Sequence, residues 1–185
     1  MGKRILNIGC GNDTYGTDFV DLYPSREEVK RVDLEKEKLP FKKNSFEEIY
    51  AECVFEHLKN PRDFLKDCKR VLKKQGKLIL ITDNAAHYKY HISLFKKAFY
   101  AHNGGYEKKG RIGGGTGKGS EDKHYALFTP NHLKNFLEDL GFFIGEIKYE
   151  FGYNRKNIHK IIDLVVSFLS KRLIFPRIKV VAIKK

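Results

Sequence analysis

Short apolar runs alternate with stretches of helical spacing along the 185 residues. RILNIG at 4–9 reads as a buried strand ending in glycine, and DFVDLY at 18–23 as a second strand stopped by Pro24. VKRVDL at 29–34 is a weaker third, and FEEIYAECVF at 46–55 holds a fourth after the turn-like KKNS. Asn60-Pro61 opens a helix, with asparagine as N-cap and proline at the first helical position. Phe64, Leu65, Cys68, Val71 and Leu72 share one face of it, and Gly76 is expected to stop it. KLILIT at 77–82 is the cleanest buried strand. Tyr88, Ile92, Phe95 and Phe99 fall at helical spacing within 87–101. Residues 102–123 hold eight glycines and five basic residues, the composition of a long loop. Thr129-Pro130 caps another helix, with Leu133, Phe136, Leu137 and Leu140 on its face and Gly141 at its end. FFIGEIKYEF at 142–151 is a strand, 156–174 a helix, and RIKVVAIKK a closing strand. Strands alternating with helices predict one α/β domain over 1–185 around a parallel sheet, with ligands beyond the carboxyl ends of the strands.

Composition narrows the class. Apolar residues make up 41% and charged residues 32%, which excludes a disordered or membrane-embedded chain. No run reaches the length of a membrane span, and the first residues lack the apolar core of a signal peptide. Cys10, Cys53 and Cys68 form neither a CxxC pair nor a disulfide framework, so a cytoplasmic protein with reduced thiols is expected. The net charge of +13 is uneven. Residues 1–83 carry 17 basic and 15 acidic side chains, whereas 84–185 carry 19 and 8. An anionic partner (nucleic acid, a phosphorylated metabolite or a membrane surface) is therefore expected on the second half. The alternative is a solvated lysine-rich surface, since Lys outnumbers Arg 27 to 9.

The strongest chemical signal is LNIGCGNDTYG at 6–16, a glycine-rich turn directly after the first strand. Glycine there lets the backbone approach a ligand closely. A dinucleotide fingerprint would need glycine where Thr14 stands, and no P-loop is present. Asp21 and Asp33 close the second and third strands; a carboxylate at the second can accept two hydrogen bonds from a ribose diol. His87 and His91 are four apart, as zinc ligands can be, but lack the glutamate of HExxH, and no metal site is expected.

These pieces resemble the class I S-adenosylmethionine-dependent methyltransferases of the type 11 variety. The resemblance is carried by LNIGCG (6–11), FVDLY (19–23), VDLEKEKLPFKKNSFEEIYAECVFEHL (32–58), LILIT (78–82) and HYALFTPNHLKNFLEDLGF (124–142). It implies a Rossmann-like, seven-stranded, mostly parallel sheet with helices on both faces and the last strand antiparallel. It implies S-adenosylmethionine as cofactor, admitted by Gly9, Cys10 and Gly11. Asp21, followed by Leu22, would hold the ribose, and Asp33 with Leu34 would meet the adenine. Ala51 and Glu52 would flank the methionine part, and His57 would lie near the transferable methyl. Two departures stand out. Asn7 occupies a position that is acidic in many relatives, and only 12 positions separate Gly9 from Asp21, so the first crossover is shortened, with Tyr15 or its neighbours covering the cofactor.

If the acceptor is a hydroxyl, His57 and His124 are the candidate bases. The 84–128 segment is expected to be a substrate or lid insertion, and 156–174 an added helix that rests on a membrane surface, a lipid substrate, the sheet or a second copy of the chain. The acceptor classes are a small molecule, glycan or lipid-linked intermediate first, and nucleic acid, RNA above all, second. A non-catalytic cofactor-binding module is the third reading.

Overall fold

A computed structural model describes residues 2–88, 124–151, 164–168 and 170–185. One sheet contains β1 (Ile5–Ile8), β2 (Asp18–Asp21), β3 (Val29–Arg31), β4 (Phe46–Glu52), β5 (Leu72–Asp83), β6 (Phe142–Glu150) and β7 (Arg177–Lys184). Their order is β3-β2-β1-β4-β5-β7-β6. β1 to β5 pair in parallel, and β7 runs antiparallel to both of its neighbours, as expected for the last strand.

Period-two alternation decides which side chains form the core. Leu6, Ile8, Val20, Ile49, Ala51, Leu78, Leu80, Val180 and Ala182 are all at most 1% exposed on one face. Each fully buried Val, Leu or Ile side chain there contributes roughly 1.5–3 kcal/mol. Helices α1 (Pro61–Val71) and α2 (Pro130–Asp139) cover this face together. Phe55 meets Phe64 of α1 and Phe128 and Phe136 beside or on α2, and Arg62 pairs with Asp139 at 2.6 Å.

The other face carries polar residues where α/β sheets usually bury apolar ones. Asn7, Glu48, Tyr50 and Glu52 point there; Lys3 pairs with Glu48 at 2.6 Å, Tyr15 Oη donates to Glu48, and Tyr50 Oη and Arg177 donate to Glu52. Among the described residues no helix lies on this side. The links 9–17, 22–28 and 32–45 contain none, so the shortened crossover extends to all of the first three connections. The first link lies against the sheet instead: Tyr15 stacks edge-on against Tyr50 with centroids 5.1 Å apart.

Three local expectations are corrected. Gly76 does not stop α1, which ends at Val71 as β5 begins; Gly76 lies in an irregular stretch of β5, where an added Cβ would stand 2.8 Å from the Lys73 carbonyl. Asn60 occupies the N-cap, but its side chain makes no cap bond; its carbonyl accepts from Asp63 and Phe64 instead. β3 is three residues long because Asp33 starts a turn, its carbonyl accepting from Lys36 at 3.0 Å and Glu37 at 2.7 Å. The fourth strand ends at Glu52, and Phe55–His57 form a single 3₁₀ turn. Thr129 does cap α2, accepting from the His132 amide at 3.3 Å.

Apart from His87 and Tyr88, the helix expected over 87–101 lies outside the described residues, as do the loop over 102–123 and most of the 84–128 segment. Of 156–174, residues 164–167 form one helical turn and Lys171–Leu173 a 3₁₀ turn. Asn84 ties the end of β5 to this region: its amide donates to the carbonyls of Arg172 (3.0 Å) and Phe175 (2.8 Å).

Candidate functional site

Beyond β1 the chain reverses through two glycines in the left-handed region, Gly9 at φ 65° and Gly11 at φ 50°. A Cβ on Gly9 would stand 2.3 Å from Val54 Cγ2, so this residue lets the segment after β4 press against the turn. A Cβ on Gly11 would meet nothing within 4 Å. That side of the turn opens outward, as a cradle for a ligand requires. Cys10 between them is 5% exposed, and burial raises its thiol pKa, so it packs as a small apolar side chain.

Asp21, at the end of β2, faces this turn. One carboxylate oxygen accepts from the Gly11 amide and the other from the Tyr23 amide, both at 2.8 Å. These bonds fix the carboxylate and leave lone pairs for two more donors. Leu22 follows at the strand end, partly buried. Asp33 and Leu34 stand beyond β3. Asp33 pairs with Lys36 at 2.9 Å, which lowers its pKa, and Leu34 packs against the core. Gly9, Cys10, Gly11, Asp21, Leu22, Asp33 and Leu34 therefore gather at the carboxyl edge of adjacent strands. Ala51 and Glu52 lie on the same edge but diverge: the Ala51 methyl is in the core, and the Glu52 carboxylate is on the polar face with Tyr50 and Arg177.

A second group assembles beside them. Glu56 and His57 sit in the turn Phe55–His57, and Asp83 ends β5. The chain at His124 is tied in by the Tyr125 amide, which donates to the Glu56 carbonyl at 2.7 Å. This bond brings the rings of His57 and His124 to 4.4 Å, edge to face. His124 Nδ1 lies 3.4 Å from Asp83 Oδ2. Glu56 is 1% exposed; Thr82 Oγ1 donates to its Oε2 at 2.7 Å. Burial, and after it the charge of Asp83, pushes the Glu56 carboxyl up to about 7. Burial and the Glu56 charge push the Cys53 thiol up to about 12, so it stays neutral. A carboxyl that titrates near neutrality beside two imidazoles is suited to taking up and releasing protons.

His57 and His124, 67 positions apart in sequence, are thus neighbours. Glu56 and Asp83 escaped the sequence reading. Glu56 is masked by its apolar surroundings in AECVFEHL. Asp83 was detectable: it closes the cleanest strand, LILITD, in the same way that Asp21 and Asp33 close theirs.

Residues 17–80 match the family model described as a methyltransferase domain. A tRNA U34 carboxymethyltransferase from Ectopseudomonas mendocina is 33% identical over 104 residues, covering 44% of this chain and 32% of that protein. A Methanocaldococcus jannaschii protein of uncharacterised function is 31% identical over 88 residues, covering 42% of this chain and 43% of its own. The alignments therefore span less than half the length of these curated relatives. Among solved structures, a SAM-dependent methyltransferase from Archaeoglobus fulgidus superposes with a TM-score of 0.64 at 17% identity, over 98% of this chain and 86% of that one, a likeness of fold. Strand order, glycine turn and structural likeness agree that the chain has the fold of the class I S-adenosylmethionine-dependent methyltransferases, and residues 17–80 match the methyltransferase-domain model.

Proposed function

We propose that this protein transfers a methyl group from S-adenosylmethionine to an acceptor bound beyond β4 and β5. The observation that carries the reading is the open glycine turn facing a fixed Asp21 carboxylate. The cofactor supplies a methyl group already activated on a sulfonium centre. The tasks of the chain are then to bind, to align and to exclude water. Gly9, Cys10 and Gly11 would take the backbone-hugging part of the cofactor, Asp21 its ribose hydroxyls, and Asp33 with Leu34 its adenine. Ala51 and Glu52 would line the methionine end. For a hydroxyl acceptor, His57 or His124 would hold the departing proton, with Asp83 placed to steady the His124 ring.

We place the acceptor among small molecules, glycans and lipid-linked intermediates, and the protein in the cytoplasm. Support for an apolar acceptor comes from Leu164 and Val165, each 63% exposed, and Phe168, 85% exposed. A second reading, an RNA acceptor, is favoured by the basic excess after residue 83 and by the likeness to tRNA U34 carboxymethyltransferases. Incubation with methyl-labelled cofactor and extract fractionated into nucleic acid, lipid and small metabolites tests both. Label in the lipid or small-metabolite fraction supports the first reading, and label in RNA the second. Cofactor binding without transfer to any fraction would leave a binding module. Absence of any heat or thermal shift with cofactor or its demethylated product, in folded protein, would overturn the proposal.

A further inference from the structure

We infer that Glu56, His57 and His124 form a binding site for one divalent transition-metal cation. One ligand atom from each lies within 4.8 Å of the other two. Such atoms are at most about 2.8 Å from a common centre, and contraction to the bond lengths of about 2 Å typical of zinc needs shifts of no more than about 0.8 Å each. Two imidazoles and a carboxylate suit borderline cations such as Zn²⁺, Co²⁺ and Fe²⁺ better than Mg²⁺ or Ca²⁺, which prefer oxygen alone.

Glu56 supplies a second, independent observation. It is 1% exposed, and its Oε1 has no hydrogen-bond partner among the described residues, while Oε2 is held by Thr82. A buried carboxylate oxygen left without a donor is costly and calls for a cation or a proton. Asp83 completes the arrangement. Its carboxylate beside His124 Nδ1 favours the proton on that nitrogen, which leaves the lone pair on Nε2 for a ligand. Three protein ligands leave coordination positions open, as at catalytic rather than structural centres. On the methyl-transfer reading alone, an acceptor oxygen in such a position would lose its proton more readily. The cation site itself does not rest on that reading.

The test uses the full chain stripped of metal by a chelator and dialysed. Zn²⁺ alone is titrated by calorimetry, and Co²⁺ alone by visible absorption, whose bands report the ligand field. One equivalent is expected to bind, and Zn²⁺ should raise the melting temperature. Glu56→Gln and His124→Asn should each weaken binding at least tenfold. His132→Asn, on an exposed histidine of α2, should leave it unchanged. Should circular dichroism show that either buried variant is unfolded, His57→Asn, at a half-buried position, takes its place. No saturable binding near one equivalent, equal affinity in the folded site variants, or an equal loss in His132→Asn would overturn the inference. None of these readouts needs the methyl donor, so failure here is distinguishable from failure of the proposed function.

Discussion

The Asn7 side chain is 1% exposed and donates twice, to Asp13 Oδ2 at 3.0 Å and to the Tyr15 carbonyl at 2.9 Å. This accounts for an amide where many relatives carry an acid: a carboxylate cannot donate and would face Asp13. Asn7→Asp should therefore lower stability by about 1–3 kcal/mol near neutral pH. Burial and Asp13 would raise the introduced carboxyl's pKa in the folded state above its unfolded value. The penalty is then small in acid and grows as pH rises through the unfolded value, about 4. Urea midpoints for both proteins at pH 5 and pH 8 check this; equal stability at pH 8 would contradict it. Asp21→Ala removes the proposed receptor for the ribose hydroxyls and also frees the Gly11 and Tyr23 amides. At least about tenfold weaker binding of the demethylated cofactor is expected by calorimetry, from the loss of charge-assisted bonds. Unchanged affinity would place the ribose elsewhere. Gly9→Ala adds a Cβ into Val54 at a left-handed φ of 65°. A loss of about 1–3 kcal/mol is expected in chemical denaturation, because neither the strain nor the overlap can relax without moving the turn.

At the scale of elements, the sequence was most legible where period and punctuation agreed. Thr129-Pro130 and Asn60-Pro61 mark the helix starts, and the seven apolar runs all became strands. It was least legible where tertiary contacts overrode local signals. Gly76 looked like a helix stop, but Phe46 pairs with Leu72, which pulls the chain into the sheet directly after Val71. The residue groups that meet in the site were legible only in part: strand ends announce Asp21 and Asp33, whereas the meeting of His57 with His124 depends on a backbone bond between Tyr125 and Glu56 that no local pattern encodes. The 164–168 turn carries its own prediction. Phe168, 85% exposed, has few packing contacts to lose, so Phe168→Asp should leave the melting temperature almost unchanged. If this surface meets lipid, the same substitution should reduce co-sedimentation with anionic vesicles several-fold; undiminished binding would exclude it as a membrane contact.

For the molecule as a whole, charge and architecture pull in different directions. The basic excess follows residue 83, whereas Gly9 to Glu52, assigned to the cofactor, precede it. Salt should therefore affect acceptor and cofactor unequally. For an RNA acceptor, affinity should fall steeply between about 50 and 200 mM salt while cofactor affinity changes little; a flat RNA profile would remove the phosphate-contact reading. The order of the sheet has a further consequence, for biosynthesis. β6 is made before β7, yet β7 lies between β5 and β6 and pairs with both along seven or eight positions. Until Arg177–Lys184 leaves the ribosome, the nascent chain holds two strand edges that wait for the same missing partner. Closure of the sheet must then be a late event in the folding of this domain, and a chain interrupted before Arg177 would carry two open templates for aggregation.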